Sequence, residues 1–422
     1  MLPQSLLALV GGLSLALAAP ACRKRPSGES DGGDGGDGGA KGGKNDPYSP
    51  VSNVKGLAFN RFVQVWMENT NYEDAFKNDD FAELAKEGLL LTNFYALTHP
   101  SMPNYMGSAG GDTFGLDNDE DLSVPANIST IADMFDTKQI AWGEYMEDMP
   151  HAGFLDEDYQ NDGKDDYVRK HNPLVLFESV TKDETRLRQI KNFKHLDDDL
   201  KQKRLPQYSF ITPNMTNDAH DSEIEEAAGW VTGFLRNLLQ NEYFSTDTLV
   251  MLTFDENDNT DIGNQVYTLL LGGALPQEMR GKTDDTFYTH YSTIASLAAN
   301  WGLPSLGRWD CGANLLQLVA QKTGYVNWKI EDTKKLMLSE TNEGPLSRED
   351  EGHFSGEWPA PLTDAQCSAG HGILPVVQKT WSGHKPTFNY LSPVPHDSKN
   401  DINIGVSYSR TVKGSQQSGT TK

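Results

Sequence analysis

Runs of apolar residues alternate with segments of helical periodicity along this chain. Apolar runs bounded by polar, turn-like stretches are typical of buried strands. Such runs are RFVQVWM, LLLTNFYAL (strand or extended segment), IAWGEYM, QYSFITP, DTLVMLTF and VYTLLLGG. Segments with apolar residues at helical spacing predict helices between them. These segments are DDFAELAKEG, STIADMFDTK, SEIEEAAGWVTGFLRNLLQ and THYSTIASLAANWGL. The alternation predicts an α/β fold with a largely parallel central sheet flanked by helices.

The pattern also divides the chain into four regions. Residues 1–19 contain an apolar stretch that is too short to span a membrane and ends in small residues, as in a secretory signal peptide. Residues 20–55 are rich in Gly and Asp and predict a disordered linker or propeptide. The α/β pattern occupies residues 56–330. It weakens over residues 331–422, where we expect an irregular extension packed on the domain, with a disordered tail.

The charge of the chain narrows the choice of partners. Its 422 residues carry a formal net charge of −24. Because nucleic acids and anionic membranes bind basic surfaces, we expect neither as a partner. With a signal peptide and no second long apolar run, the protein is expected to be secreted to the extracellular space. The sequence specifies no oligomeric state.

Secretion bears on the cysteines and on the glycosylation sequons. In an oxidising compartment, Cys311 and Cys367 are expected to form a disulfide, while Cys22 lies close to the predicted signal cleavage. Sequons begin at Asn127 and Asn214. Asn127 lies in a loop-like stretch and is the predicted glycosylation site, whereas Asn214 lies inside a polar motif.

Polar residues follow three of the predicted strands. RFVQVWM ends at Glu68 and Asn69, QYSFITP leads to Asp218, and LVMLTF ends at Asp255 and Glu256. The carboxyl ends of parallel strands meet at one edge of a sheet, where ligands bind. Oxygen and imidazole ligands that converge there predict a divalent-cation site. Each cluster alone is also typical of a helix cap or a solvated turn, but their combination favours a site.

A candidate nucleophile lies in LTHPSMPNYMGSAGG, residues 97–111. Pro100 and Pro103 restrict the backbone on both sides of Ser101. Coordination to a divalent cation would lower the pKa of the Ser101 hydroxyl and make it a nucleophile. The amide of Asn104 would then donate to a developing oxyanion. The alternative is a Pro-rich surface turn. The stretch lacks the G-x-S-x-G pattern, which disfavours an α/β-hydrolase.

Two histidines outside these clusters have a setting that suits an anionic substrate. His171 follows Arg169 and Lys170, so it lies in a cationic stretch that would either meet an anion or form a surface loop. His290 opens a predicted helix, and backbone N–H groups at a helix start favour an anion. The alternative for His290 is a helix-start residue without a ligand.

Taken in order, several of these motifs resemble one known family. They are ENTNY, HPSMPNY, KHNP, NMTNDAHD and FDEND, within residues 58–310. The family is the phosphoesterase family of the alkaline-phosphatase-like superfamily, and in particular its fungal secreted, phosphate-repressible acid phosphatases. The resemblance implies an alkaline-phosphatase-like fold and a divalent metal ion. It also implies hydrolysis of small-molecule phosphate monoesters with broad specificity through a phosphoseryl intermediate.

The family pattern also implies the metal ligands. Two pairs of residues would bind the ion from opposite sides: Glu68 with Asn69, and Asp255 with Glu256. Ser101 would be both a ligand and the nucleophile. Asp218 and His220 would either contribute to the same site or bind a second metal. Since a single residue separates Asp218 from His220, whereas many relatives use a wider spacing, the sequence favours one metal.

The remaining catalytic roles follow from the same resemblance. Asn104 would contact the phosphate and stabilise the oxyanion. His171, His220 and His290 would hold phosphate oxygens or protonate the leaving group.

Two rival functions use the same sequence features. A phosphodiesterase or phospholipase C on this scaffold would share every catalytic residue and differ only in the pocket walls. No exposed aromatic or basic stretch indicates a lipid surface, which disfavours a phospholipase. A non-catalytic secreted binding protein would have lost the metal or the nucleophile, and the joint presence of Glu68, Asn69, Ser101 and Asp255 argues against it.

Overall fold

The computed structural model describes residues 45–161, 164–339, 341, 344–347, 358–387 and 407–420. The predicted signal peptide and most of the predicted linker lie outside the described residues. Among the helices of the described ranges, none combines the length and apolar character needed to cross a lipid bilayer.

The strands of the described residues are numbered in chain order. They are β1 (Arg61–Met67), β2 (Leu89–Leu91), β3 (Phe94–Tyr95), β4 (Trp142–Met146), β5 (Asp158–Asn161), β6 (Lys164–Val168), β7 (Ile190–Asn192), β8 (Tyr208–Thr212), β9 (Thr248–Phe254), β10 (Thr268–Leu271), β11 (Lys282–Asp284), β12 (Tyr288–Thr289), β13 (Lys329–Ile330), β14 (Ser407–Val412) and β15 (Ser415–Thr420).

The helices are numbered in the same way. The α-helices are α1 (Tyr72–Lys77), α2 (Asp79–Ala85), α3 (Ser101–Gly110), α4 (Ile131–Asp136), α5 (Glu178–Thr181), α6 (Glu184–Leu187), α7 (Phe193–Lys201), α8 (Ile224–Gln240), α9 (Glu242–Ser245), α10 (His290–Trp301), α11 (Gln317–Thr323) and α12 (Pro375–Thr380). Short 3₁₀ turns span Arg169–His171, Leu174–Leu176, Gln277–Met279, Trp309–Cys311, Thr333–Lys335 and Ser368–Gly370.

Eight strands form the central sheet in the order β11-β2-β10-β9-β1-β8-β4-β7. The pairs on either side of β1 are parallel, and β10 alone runs against its neighbours β9 and β2. The chain reverses there because the connection from β9 to β10 contains no crossover helix, which a parallel pair would need. The predicted α/β fold with a largely parallel sheet is confirmed.

The register of the sheet places the polar strand ends together. Met67 is paired with Phe254, so the next residues on the two strands, Glu68 and Asp255, emerge side by side. The backbone N–H of Asp255 donates to the carbonyl oxygen of Met67 over 3.0 Å. The backbone N–H of Glu68 donates to the carbonyl oxygen of Asp218 over 2.8 Å, which brings in the segment after β8.

Helix α3 is the main departure from the sequence pattern. The stretch that contains the candidate nucleophile forms a helix from Ser101 to Gly110 in which every residue is buried. A helix that is buried on all sides lacks the alternation of polar and apolar faces, so periodicity does not reveal it. It ends at Gly111, whose φ of 73° lies in the left-handed region that glycine adopts at helix ends.

The last residues of the predicted linker contact the domain. Ser49 Oγ donates to Asp199 Oδ2 over 2.7 Å, and the backbone N–H of Val54 donates to Gln207 Oε1 over 2.7 Å. Ordered contacts with the domain therefore begin before residue 56, at which the sequence pattern placed its start.

The region predicted as an irregular extension contains regular elements. Helix α12 lies within it, and strands β14 and β15 form a hairpin that pairs with β13. The hairpin occupies part of the tail predicted to be disordered. Its strands are mostly polar and contain no buried residue, so they lack the apolar alternation that predicts a strand.

The covalent and glycosylation predictions fall on described residues. Cys311 and Cys367 form a disulfide, as predicted. Asn127 is exposed in a turn, so it is accessible to a glycan, which stays a prediction. The side chain of Asn214 donates to Asp148 Oδ2 over 2.7 Å and is therefore already engaged.

Removal of the disulfide is expected to destabilise the fold. The cross-link joins residues 56 positions apart. A loop of this length predicts a loss of about 4 kcal/mol in the free energy of unfolding. The double variant Cys311→Ala/Cys367→Ala should therefore melt several degrees below the wild type in a thermal scan. A reductant should lower the midpoint of the wild type but not that of the variant. Equal midpoints would contradict the prediction.

Candidate active site

Glu68 occupies the centre of the site, directly after β1. Its side chain is fully buried. Oε1 accepts a hydrogen bond from the Tyr105 hydroxyl, and Oε2 lies 3.1 Å from Ser101 Oγ. Strand β1, which ends at the residue before Glu68, lies between β8 and β9 in the middle of the sheet, so the carboxylate has a rigid support.

Asn69 turns the chain away from the sheet. Its φ of 41° lies in the left-handed region, which Asn tolerates better than most residues with a side chain. This turn directs the backbone N–H of Asn69 at Asp255 Oδ1, 3.2 Å away. The polar residue after the strand therefore helps to orient the carboxylate on the neighbouring strand.

Ser101 lies between two carboxylates at the first position of α3. Its Oγ is 3.1 Å from Glu68 Oε2 and 3.3 Å from Glu256 Oε1, and the residue is buried. Either carboxylate is placed to accept the hydroxyl proton. The geometry thus joins a hydroxyl on a helix to carboxylates on two adjacent strands.

Asn104 braces the loop that precedes Ser101. Its Oδ1 accepts from the backbone N–H groups of Leu97 and Thr98, over 2.9 and 3.3 Å. Its Nδ2 donates to the carbonyl oxygens of Thr98 and Pro100, and lies 3.4 Å from Glu256 Oε2. The amide therefore holds the loop before Ser101 against the carboxylate, and an oxyanion contact stays a prediction.

His171 brings a second set of ligand atoms to Glu68. Its Nε2 lies 3.5 Å from Glu68 Oε1, and its Nδ1 lies 3.7 Å from Asp218 Oδ2. One ligand atom each from Glu68, His171 and Asp218 lie within 4.8 Å of one another. Burial lowers the pKa of His171 well below its usual value, which leaves the neutral imidazole that metals bind.

The other two predicted histidines are placed differently. His220 lies at the edge of this set, partly exposed, with its ring centroid 5.6 Å from that of His171. His290 is fully buried, and its Nε2 lies 2.7 Å from the backbone oxygen of Asp255. The His290 ring packs on Trp66, with centroids 4.3 Å apart. His290 therefore contacts the main chain beside the carboxylates, and its predicted contact with phosphate stays a prediction.

Three residues that sequence reasoning did not assign also contact the site. Tyr105 donates to Glu68 and stacks on His171, and His99 Nδ1 lies 2.9 Å from Glu256 Oε2. Tyr105 lies four residues after Ser101, so recognition of the helix would have placed both on one face. Asn264 Oδ1 accepts from the backbone N–H of Asn257 over 3.0 Å. No local pattern in the sequence signals that contact.

Asn264 also links the loop after β9 to two other segments. Its Nδ2 donates to the carbonyl oxygens of Thr98 and Leu338, over 2.9 and 3.0 Å. Thr98 belongs to the loop before Ser101, and Leu338 belongs to the C-terminal extension. One amide thus connects the segment that carries Asp255 with the segment that carries Ser101.

Comparison with known proteins identifies the family. The profile of the phosphoesterase family matches residues 41–304. The phosphate-repressible acid phosphatase of Penicillium chrysogenum is 57% identical over 410 residues, which cover 97% of this chain and 97% of that protein. The acid phosphatase of Aspergillus niger is 56% identical over 421 residues, which cover 99% of each. The chain belongs to the phosphoesterase family.

More distant proteins are also similar to this phosphoesterase. The phosphatidylinositol-3-phosphatase of Mycobacterium tuberculosis is 30% identical over 227 residues, which cover 53% of this chain and 70% of that protein. Among solved structures, the phosphonate monoester hydrolase of Agrobacterium radiobacter superposes with a TM-score of 0.39 at 10% identity, covering 64% of this chain and 80% of that one. The family assignment rests on the sequence comparisons.

The electrostatics of the phosphoesterase site favour a bound cation. Burial raises the pKa of Asp255 to about 7. Burial and the charge of Asp255 raise the pKa of Glu256 to about 10. Burial, Asp255 and Asp218 raise the pKa of Glu68 well above its usual value. These shifts mark a concentration of negative charge that a divalent cation would neutralise.

Unpartnered ligand atoms support the same conclusion. Asp218 Oδ2, Asp255 Oδ2 and His171 Nε2 are buried without a hydrogen-bond partner among the described residues. Buried polar atoms normally have partners, so these three orphaned atoms call for an explanation. Two carboxylate oxygens and an imidazole nitrogen form a donor set that suits a divalent metal. The phosphoesterase site therefore fits the predicted ion.

The metal-free protein should lose stability as the pH rises. The pKa of Asp255 is about 7 in the folded protein and 3.8 ordinarily, so between these values the folded state holds a proton that the unfolded chain releases. The thermal midpoint of chelator-treated protein should fall from about pH 4 to about pH 7. A divalent cation should reduce that fall.

Two variants test the source of this pH dependence. Asp255→Asn should make the profile of the chelated protein shallower, because it removes one titrating carboxyl while Glu68 and Glu256 continue to titrate. Asp261→Asn changes an exposed carboxylate in the loop that follows, and should leave the profile unchanged. A midpoint of the chelated wild type that rises across this range would disprove the prediction.

Proposed function

We propose that this phosphoesterase is a secreted acid phosphatase that hydrolyses phosphate monoesters with broad specificity through a phosphoseryl intermediate. The observation that carries the proposal is the buried Ser101 hydroxyl, held between Glu68 and Glu256 beside unpartnered ligand atoms. The names of the two fungal relatives that are 56–57% identical support the reaction class.

The proposed metal ligands surround the nucleophile. The residues that would hold a divalent ion are Glu68, Asn69, Ser101, Asp255 and Glu256, with Asp218 and His171 on the other side of Glu68. When bound, the ion supplies charge neutralisation for the phosphoryl oxygens and lowers the pKa of the Ser101 hydroxyl. The rest of the mechanism belongs to side chains of this protein.

The proposed reaction proceeds in two displacements. Ser101 Oγ attacks phosphorus while its proton passes to one of the two carboxylates within 3.3 Å. The bond from phosphorus to the ester oxygen breaks, and the departing alcohol takes up a proton. Water then attacks the phosphoserine, the bond from phosphorus to Oγ breaks, and inorganic phosphate and the free hydroxyl are restored.

Several groups around Ser101 would stabilise the transferred phosphoryl group. Ser101 opens a helix of 10 residues, whose N-terminus carries partial positive charge. Asn104 remains the proposed oxyanion donor. His220 is the most exposed of the three predicted histidines and is the proposed proton donor to the leaving oxygen. His171 would act as a neutral ligand, and His290 would orient the main chain of Asp255.

Secretion is part of the proposal. It rests on the predicted signal peptide at residues 1–19. The disulfide between Cys311 and Cys367 supports it, because such bonds persist in oxidising compartments. The exposed turn at Asn127 would carry a glycan there.

Substitution of the nucleophile should abolish turnover without unfolding the protein. Ser101→Ala removes the attacking oxygen, so kcat for p-nitrophenyl phosphate should fall about a thousandfold or more. Ser108 is the matched control: it lies on the same helix, but its hydroxyl donates to the backbone of Tyr105. Ser108→Ala should retain activity. Wild-type turnover by Ser101→Ala would reject the assignment.

A comparison of substrates separates the monoesterase from its rivals. Rates at pH 5 on p-nitrophenyl phosphate and on bis-p-nitrophenyl phosphate are measured with and without a chelator. We expect the monoester rate to dominate and to disappear with the chelator, because the carboxylate site needs a cation. A dominant diester rate would favour a phosphodiesterase or phospholipase C with the same residues. No turnover of either substrate would favour the binding protein.

A further inference from the structure

A phosphate monoester must enter a site that is itself rich in negative charge. Four carboxylates, Glu68, Asp218, Asp255 and Glu256, are buried within it. A single divalent cation offsets only part of that charge. Because phosphoryl transfer depends on charge neutralisation, a further positive group is needed where the substrate phosphate binds.

Lys170 is placed to supply that positive charge. It belongs to the 3₁₀ turn that also carries His171, whose ring contacts Glu68 and Asp218. Its positive charge opposes the rise in the pKa of Glu68 and of Glu256, although burial and the neighbouring carboxylates outweigh it. The lysine is thus near the carboxylates on both sides of the nucleophile.

Asp119 fixes Lys170 relative to the nucleophile. Its Oδ2 accepts from Lys170 Nζ over 2.9 Å. Its Oδ1 accepts from the backbone N–H of Met102, the residue after Ser101, over 3.0 Å. One carboxylate therefore connects the ammonium group to the first turn of α3, where the attacking oxygen lies.

The neighbouring Arg169 differs from Lys170 in that its hydrogen bonds serve a structural role within the fold. The side chain of Arg169 is 6% exposed. Its guanidinium donates hydrogen bonds to Asp121 and to the carbonyl oxygens of Leu122 and Val175. The side chain of Lys170 is 22% exposed. Within the described residues, Asp119 is the hydrogen-bond partner of its Nζ, so an ammonium with three donors retains two for a ligand.

We propose that Lys170, positioned by Asp119, binds the phosphate group of the substrate beside Ser101. The inference rests on the proposed function, which names the phosphate ester as substrate. It adds a binding residue, Lys170, and a positioning residue, Asp119, to the proposed site. The competing explanation is an ion pair that only joins two loops, and such partly exposed pairs contribute little.

The test measures phosphate binding directly. Inorganic phosphate is titrated calorimetrically into metal-loaded wild type and into the variants, and KM and kcat for p-nitrophenyl phosphate are measured in parallel. Lys170→Met should weaken phosphate binding about 10- to 100-fold, as expected for loss of a charge-assisted hydrogen bond. KM should rise by a similar factor. Lys170→Arg keeps the charge and should recover most of the binding.

Asp119→Asn tests the positioning role. The substitution keeps an amide oxygen that accepts from Met102 but removes the charge that holds Lys170. Phosphate binding should weaken less than in Lys170→Met. The double variant should bind phosphate as Lys170→Met does, because Asp119 acts through the lysine. Lys182→Met removes an exposed lysine that pairs with Glu178, and should change nothing.

The outcomes separate the inference from the proposed function. Unchanged phosphate binding and KM in a folded Lys170→Met variant would overturn the inference, even if the wild type is an active phosphatase. Failure of the wild type to bind phosphate would overturn it as well. Lysine-dependent phosphate binding without monoester hydrolysis would support the inference and reject the proposed function.

Discussion

Repulsion among carboxylates buried at the ends of β1 and β9 is the constraint on which the rest of the site depends. The pairing of these strands places Glu68 beside Asp255. Burial of their two charges lowers the stability of the folded state. The apolar residues of β1, buried between β8 and β9, supply the rigidity that keeps the carboxylates in place. Donors from Asn69, Ser101 and Tyr105 offset part of the cost, and a cation would offset the remainder.

Close packing of α3 against the sheet determines where Ser101 lies. The helix buries every side chain, and Tyr105 connects it to Glu68 at the sheet. Gly107 makes room for the side chain of Leu97 in the loop that precedes the helix, because a Cβ there would collide with it. A helix with no exposed face has no room to shift, so Ser101 is held in a fixed relation to both carboxylates.

The sequence predicts the site residues at the strand ends better than it predicts the residues that hold them in place. Glu68 and Asp255 are identifiable because each interrupts an apolar run at the same point of a strand. Tyr105 escapes notice since the buried helix that carries it has no periodicity. The sequence shows Lys170 in a cationic stretch but not its contact with Asp119, a partner 51 residues away. The β14–β15 hairpin is missed for a different reason, namely that its strands are largely polar. Contacts between distant segments leave no local pattern.

The loop between β9 and the reversed strand β10 lies beside the site, but its length does not affect the positions of the site residues. Asn257 and Asn264 are joined by a hydrogen bond of 3.0 Å, which closes the loop between them at its base. Residues 258–262 are exposed beyond that closure, whereas Asp255 and Glu256 lie inside it. Insertions in an exposed, closed loop add little entropic cost. Residues inserted or deleted at this rim would therefore leave the frame of the candidate site intact.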